Sequence, residues 1–197
     1  MTQAPISAEL PREDESPWQT RAVRQIYQNP WICVEECDVL RPDGKPGIYG
    51  LVHPRSVATG IIATEEDGTI WLVGQYRYAL GRYSWEIPEG GADPKKDIRE
   101  EAARELKEET GLTARNWEHL LTLHTSNCFT SERAEIFIAT GLTPGASNPD
   151  PEEKIAARRV HLTTALAAIE SGQITDAMTV SALLALARRT AKSPTPA

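Results

Sequence analysis

The sequence predicts an α+β fold, an α/β/α sandwich around a mixed sheet, preceded by a small antiparallel sheet. Short segments rich in β-branched and aromatic residues fill much of 18–162 and are punctuated by Gly, Pro and Asp turns. One strongly patterned helix interrupts them at 97–111, and two more close the chain on either side of Gly172. A helix amid the strands and helices at the end are expected to cover opposite faces of one sheet.

In order along the chain, residues 1–17 are polar, carry three prolines and show no periodicity, so a flexible lead segment is expected. Residues 18–55 form the small sheet. Val23, Ile26, Tyr27, Trp31, Ile32, Val34 and Val39 precede the turn signal RPDGKPG at 41–47, and 48–52 resumes an extended pattern. Trp18, Trp31 and Tyr49 read as core or subunit interface. Residues 56–189 make the main domain. It opens with strands at 57–63 and 70–76, joined by a hairpin turn at Glu65-Glu66-Asp67-Gly68. A Gly-rich loop leads into the helix, strands follow at 120–125 and 134–139, and the loop 126–133 lies between them. After an acidic loop at 144–153, a strand at 158–162 and helices at 164–171 and 176–189 complete the domain. Residues 190–197 are expected to fray.

The chain has 197 residues, enough for one domain with a substantial core. Its 40% hydrophobic and 25% charged content is that of a globular protein. No apolar run approaches the roughly 18 residues of a membrane span, and the N-terminal stretch lacks a signal-peptide core, so a cytoplasmic location is expected. A net charge of −7 argues against nucleic acid or an anionic membrane as the main partner. Cys33, Cys37 and Cys128 have no metal-type spacing and read as buried small apolar residues in a reducing compartment.

The helix at 97–111 is the most informative stretch. Asp97 can cap its first turn, with Glu100 three places on. Ile98, Ala102, Ala103 and Leu106 form an apolar stripe, and Gly111 supplies a left-handed stop. Glu101, Glu105, Glu108 and Glu109 crowd another face. Like charges three and four apart on a helix repel by a few tenths of a kcal/mol per pair. The helix dipole also disfavours anions in the last turn, where Glu108 and Glu109 sit, by about 0.3–1 kcal/mol each. Hard oxygen ligands gathered in a costly place are what Mg²⁺ or Mn²⁺ requires; an ordinary charged surface helix is the alternative.

The full stretch GGADPKKDIREEAARELKEETGL at 90–112 resembles the box of the Nudix hydrolase family. Gly90 opens the box, and Arg104-Glu105-Leu106-Lys107-Glu108-Glu109-Thr110-Gly111-Leu112 match its second half, so eight of nine fixed positions agree. Lys96 stands where the pattern has its first Glu. Within the family the chain looks most like the ADP-ribose pyrophosphatases and nucleoside-diphosphate-sugar hydrolases. The matching residues are Asn29-Pro30-Trp31, Gln75-Tyr76-Arg77, Trp85-Glu86-Ile87-Pro88 and Gly172-Gln173-Ile174-Thr175-Asp176. That subgroup tends to carry a Pro after the Ser of the loop following the box; here Asn127 follows Ser126.

The resemblance implies a small-molecule nucleotide substrate, a bound Mg²⁺ or Mn²⁺, and a homodimer joined through the N-terminal sheet. Glu105 and Glu109 are the expected metal ligands, with Glu108 shared or acting in catalysis and the backbone carbonyl of Glu89 or Gly90 adding a ligand. A loop carboxylate is expected to serve as base: Glu153 fits best, with Glu152 beside it and Glu132 as a further candidate for ligand support or substrate contact. Arg77 and Arg82 are expected to clamp phosphates, Glu86 to contact a base or ribose, and Phe129 to line the pocket. The implied reaction is hydrolysis of a pyrophosphate bond in ADP-ribose or a nucleotide sugar.

Overall fold

A computed structural model describes residues 10, 15–148 and 154–192. The leading sheet is β1 (Gln19–Gln28), β2 (Ile32–Leu40) and β3 (Pro46–Pro54), antiparallel in that order. It is followed by β4 (Val57–Ala63), β5 (Thr69–Arg77), β6 (Arg82–Glu86), β7 (Glu89–Ala92), helix α1 (Ile98–Thr110), β8 (Leu112–Leu123), β9 (Ala134–Pro144), β10 (Ala156–His161), α2 (Leu162–Glu170) and α3 (Ala177–Lys192). One sheet has the order β7-β4-β9-β8, with β4 and β9 parallel and the other pairs antiparallel. A second has the antiparallel order β10-β5-β6.

Both faces of the β4–β9 pair are covered, which explains their near-continuous apolar text. Side chains alternate along a strand. Ile61 and Ala63 of β4, with Phe137 and Ala139 of β9, meet Ala102 and Leu106 of α1. Ile62, Ile136 and Ile138 point the other way, into a cluster with Met178, Ala182, Leu183 and Leu186 of α3. The middle layer thus lies between α1 and the terminal helices, as the sequence predicts. Burying one such Leu or Ile side chain contributes about 1.5–3 kcal/mol.

Several boundaries moved. The strand expected at 120–125 begins at Leu112, immediately after α1. Its first residues, LTARNWEH, are half polar because this is the outer strand of its sheet, so hydrogen bonding to β9 rather than burial fixes its conformation. The strands β6 and β7 lie where a Gly-rich loop was expected; β7 is too short and too rich in glycine to show a pattern. Of the tryptophans expected in core or interface, Trp31 is 72% exposed and Trp18 40%. Cys33 and Cys37 are buried, but Cys128 is exposed and all three are free, which corrects the expectation of three buried cysteines.

Helix α1 begins and ends as expected. The Asp97 carboxylate accepts from the amides of Arg99 and Glu100 at 2.9 and 3.2 Å. Gly111 closes the helix at φ +75°, and its amide donates to the Lys107 carbonyl at 2.9 Å. A Cβ on Gly111 would stand 2.5 Å from the Gly145 carbonyl oxygen. The left-handed conformation alone costs an L-residue about 1–2 kcal/mol, and the clash adds to it. Gly111→Ala is therefore expected to destabilise the fold by at least about 2 kcal/mol, read as a lower urea midpoint; an unchanged midpoint would contradict this account of the cap.

Candidate active site

The site lies where β7 passes beneath the acidic face of α1. Thr59 of β4 donates its hydroxyl to the Gly90 carbonyl at 3.1 Å, and the Pro88 carbonyl accepts from the Ile61 amide at 2.8 Å, so the β7 backbone is fixed from below. From above, the Glu109 carboxylate accepts from the Glu89 amide at 3.0 Å. Glu105 comes closer still: a Cβ added to Gly90 would stand 2.2 Å from its carboxyl carbon. Only glycine permits that approach. Two carboxylates one helical turn apart thus converge on one stretch of backbone, a hard-oxygen cradle of the kind that suits a divalent cation.

Cationic side chains limit the repulsion in this cluster. The Arg104 guanidinium donates to Glu108 at 2.6 Å, Glu105 at 2.7 Å and Glu101 at 3.3 Å. Partial burial works against its charge most strongly. The summed attraction of Glu105, Glu108 and Glu101 outweighs burial and raises its pKa. Lys96, which stands in place of the expected Glu, pairs with Glu101 at 3.0 Å. Its hydrogen bond, aided by the Lys96 and Arg104 charges, lowers the Glu101 pKa against the opposing effect of desolvation. Lys96 therefore neutralises the Glu101 end of the cluster.

Beside the cradle opens a cleft of about 480 Å³, lined among others by Ser56, Arg77, Glu89, Gly90, Thr125, Glu132 and Asp176. Arg77 donates to both oxygens of Glu86, the shortest contact being 2.6 Å, and to Glu89 Oε1 at 2.6 Å. Burial tends to lower its pKa, but the Glu86 hydrogen bonds and the charges of Glu89, Glu86 and Glu109 prevail and raise it. Glu89 Oε2 is buried without a hydrogen-bond partner. Burial first, then the charges of Asp176 and Glu86, push the Glu89 pKa well above its ordinary value, with Arg77 opposing.

The sequence-predicted residues fall into three groups. Glu105, Glu109 and the Glu89 backbone come together, with Glu108 on the rim held by Arg104. Arg77 and Glu132 line the cleft, where the Thr125 hydroxyl donates a hydrogen bond to Glu132 Oε2. The rest lie elsewhere. Glu86 is 2% exposed and engaged by Arg77, so it is an anchor for that arginine rather than a surface for base or ribose. Arg82 donates to the Thr175 hydroxyl at 2.7 Å on the exposed surface and does not line the cleft. Phe129 is half exposed in its loop and is not among the cleft-lining residues either. Glu152 and Glu153 lie outside the described residues.

Two contributors escaped sequence reading. Among the described residues, the carboxylates whose oxygens all lie within 4.8 Å of one another are Glu86, Glu89 and Asp176, not the helix glutamates. Asp176 accepts from the Thr179 amide at 2.7 Å and so reads in the sequence as an ordinary helix cap. Glu89 was expected to contribute only its carbonyl. Its one visible signal is a charged residue wedged between Pro88 and two glycines, where a buried strand would usually carry an apolar one.

Comparison with known proteins gives the family. A NUDIX domain profile matches residues 54–179, and a profile of the nucleoside diphosphate sugar hydrolase N-terminal domain matches 18–52. The chain is a Nudix hydrolase. It is 34% identical over 167 residues to an ADP-ribose pyrophosphatase of Bacillus subtilis, spanning 83% of this chain and 89% of that one. It is 33% identical, with the same coverage, to a methanol dehydrogenase activator of Bacillus methanolicus. A solved structure of an ADP compounds hydrolase superposes with a TM-score of 0.81 at 23% identity, over 91% of this chain and 97% of that one, and it bears out the fold. No helix among the described residues of this Nudix hydrolase is long and apolar enough to cross a membrane.

The Glu89 carboxyl gives a pH-dependence with a definite sign. A carboxyl whose pKa is raised in the fold binds more protons folded than unfolded. Its contribution to stability is full below the ordinary Glu value and is lost as pH rises from there through the raised value. Glu89→Gln removes the ionisation and supplies an amide donor to the unpartnered position. In EDTA, the variant is expected to gain about 1–3 kcal/mol over the native chain at pH 8 and little or nothing at pH 4. Thermal unfolding at both pH values checks this, and parallel pH profiles would refute it.

Proposed function

We propose that the chain hydrolyses the pyrophosphate bond of a nucleoside diphosphate joined to a second moiety, with ADP-ribose (giving AMP and ribose 5-phosphate) or a nucleotide sugar as substrate. The observation that carries this reading is the convergence of Glu105 and Glu109 on the Glu89–Gly90 backbone at the edge of an arginine- and carboxylate-lined cleft. The extent of similarity to the Bacillus subtilis ADP-ribose pyrophosphatase supports it. Glu105, Glu109, Glu108 and the Glu89 carbonyl would hold Mg²⁺ or Mn²⁺. The bound cation would neutralise phosphate charge and lower the pKa of a coordinated water.

The remaining work falls to the protein. Arg77, held by Glu86 and Glu89, offers a fixed positive charge at the cleft against which a diphosphate can be oriented. Glu132, oriented by Thr125, takes the proton of the attacking water. Arg104 keeps Glu105 and Glu108 in place between turnovers. The acidic loop bearing Glu152 and Glu153 is the competing source of a base. The chain works as a homodimer in the cytoplasm, a reading supported by free thiols and by Trp31, Ile48, Ile26, Tyr27 and Val23, each more than half exposed on the leading sheet.

A panel of ADP-ribose, nucleotide sugars including GDP-mannose, and dinucleotides, run with and without Mg²⁺, tests the activity. The native chain is expected to cleave ADP-ribose or a nucleotide sugar only with the metal, and Glu109→Gln to lose about 10²-fold or more in kcat. No cleavage of any member would sink the enzyme assignment. Glu132→Gln is expected to lower kcat by about 10²-fold; a larger loss in Glu153→Gln than in Glu132→Gln would move the base to the acidic loop. In sedimentation, the native chain is expected to run as a dimer and Trp31→Lys with Ile48→Lys as a monomer. A native monomer at micromolar concentration would refute the interface.

A further inference from the structure

The loop at 126–133 places Glu132 in the cleft, yet its principal contacts run away from the cleft, to the leading sheet. Tyr49 of β3 donates its hydroxyl to the Cys128 carbonyl at 2.5 Å. The Val52 amide donates to the Phe129 carbonyl at 2.9 Å, and the Ser131 amide donates to the Val52 carbonyl at 3.1 Å. Val52 and Thr130 form an isolated parallel bridge. The His53 ring sits between Ser131 and Glu35 of β2, with Nδ1 at 2.9 Å from Ser131 Oγ and Nε2 at 3.2 Å from Glu35 Oε2. A carboxylate only accepts, so Nε2 carries the hydrogen facing Glu35, and in the neutral ring the Ser131 hydroxyl donates to Nδ1. Tyr49 and His53 are four residues apart on one strand and so face the same side. The Trp18 ring meets Tyr49 edge-on at 5.4 Å and braces it.

We propose that β3 is the jig for this loop and that His53 is a positioning residue, holding Ser131 so that its neighbour Glu132 faces the reacting water. The inference rests on the role given to Glu132 above. Ordering a free loop residue costs conformational entropy. A loop ordered beforehand by β3 does not bear that cost when substrate binds or when the water is deprotonated. The leading sheet, otherwise an assembly element, therefore sets catalytic geometry directly.

Two measurements test this. The first is steady-state kinetics on the substrate found in the panel, with native chain, His53→Leu, His53→Asn, Ser131→Ala and Glu132→Gln. His53→Leu and Ser131→Ala are expected to lose about tenfold in kcat with KM little changed. His53→Asn, which keeps a polar atom near the Nδ1 position, restores most of the rate. In a Glu132→Gln background the His53→Leu loss vanishes, because both act through one carboxylate. An equal loss in that background overturns the proposal.

The second measurement needs no turnover. A nitroxide on Cys128, which is exposed whereas Cys33 and Cys37 are buried, reports loop mobility. Its spectrum is expected to sharpen in His53→Leu and also in Tyr49→Phe, which removes a single hydroxyl and spares the fold. Unchanged spectra in both overturn the jig. Should Glu132→Gln prove as active as native, the role of Glu132 fails, and the kinetic half of this proposal with it. The spectra then decide alone whether β3 holds the loop.

Discussion

The contact on which the site depends is the approach of Glu105 to the backbone at Gly90. A helix packed on a strand normally keeps its side chains a full van der Waals shell away, and here a single Cβ would fill the space that the carboxylate occupies. The rest of the local structure makes that approach repeatable. Asp97 and Gly111 fix where α1 starts and stops, and so the phase of its acidic face. Ala102 and Leu106, on the adjoining face, seat the helix on β4 and β9. Thr59 and Ile61 hold the β7 backbone from the other side.

Charge is the second constraint, and the chain meets it with few cations. Arg104 spans three glutamates, Lys96 takes the outer side of one of them, and Arg77 serves Glu86 and Glu89. What remains uncompensated is concentrated at Glu89, whose second oxygen has no partner and whose carboxyl is pushed toward neutrality. A protein selected for stability alone would place an apolar residue there. Strain of this kind, retained at the wall of a cleft rather than elsewhere, marks a position kept for binding or chemistry.

Much of this was legible in the sequence because it is periodic or depends on one residue type. The helix, its caps, the acidic face and the two-sided strands follow from spacing, and so does the sandwich. Boundaries at β6, β7 and β8 were not legible, since short or edge strands take their conformation from ladder partners rather than from a pattern of their own. The surroundings of Glu86 and Arg82 were hidden for a related reason: a charged residue near a motif looks available until burial or a distant partner is known. Asp176 was hidden by having a second role as a cap. The half of the site made of chain-distant residues was thus the half that one-dimensional pattern could not assemble.

That division has a physical counterpart. The carboxylate cradle is built within one continuous stretch, from Glu89 to Glu109, so its geometry is set by a helix and the strand before it. The cleft wall is built from five separate segments, represented by Ser56, Arg77, Glu89, Glu132 and Asp176. Each of those side chains is only as well placed as the element behind it, and the element behind Glu132 is the leading sheet. A change in that sheet can therefore reach the loop that bears Glu132, through Tyr49, Val52 and His53, without touching Glu105 or Glu109. The cradle can persist while the wall diverges, because the two share only the β7 backbone at Glu89 and its glycines.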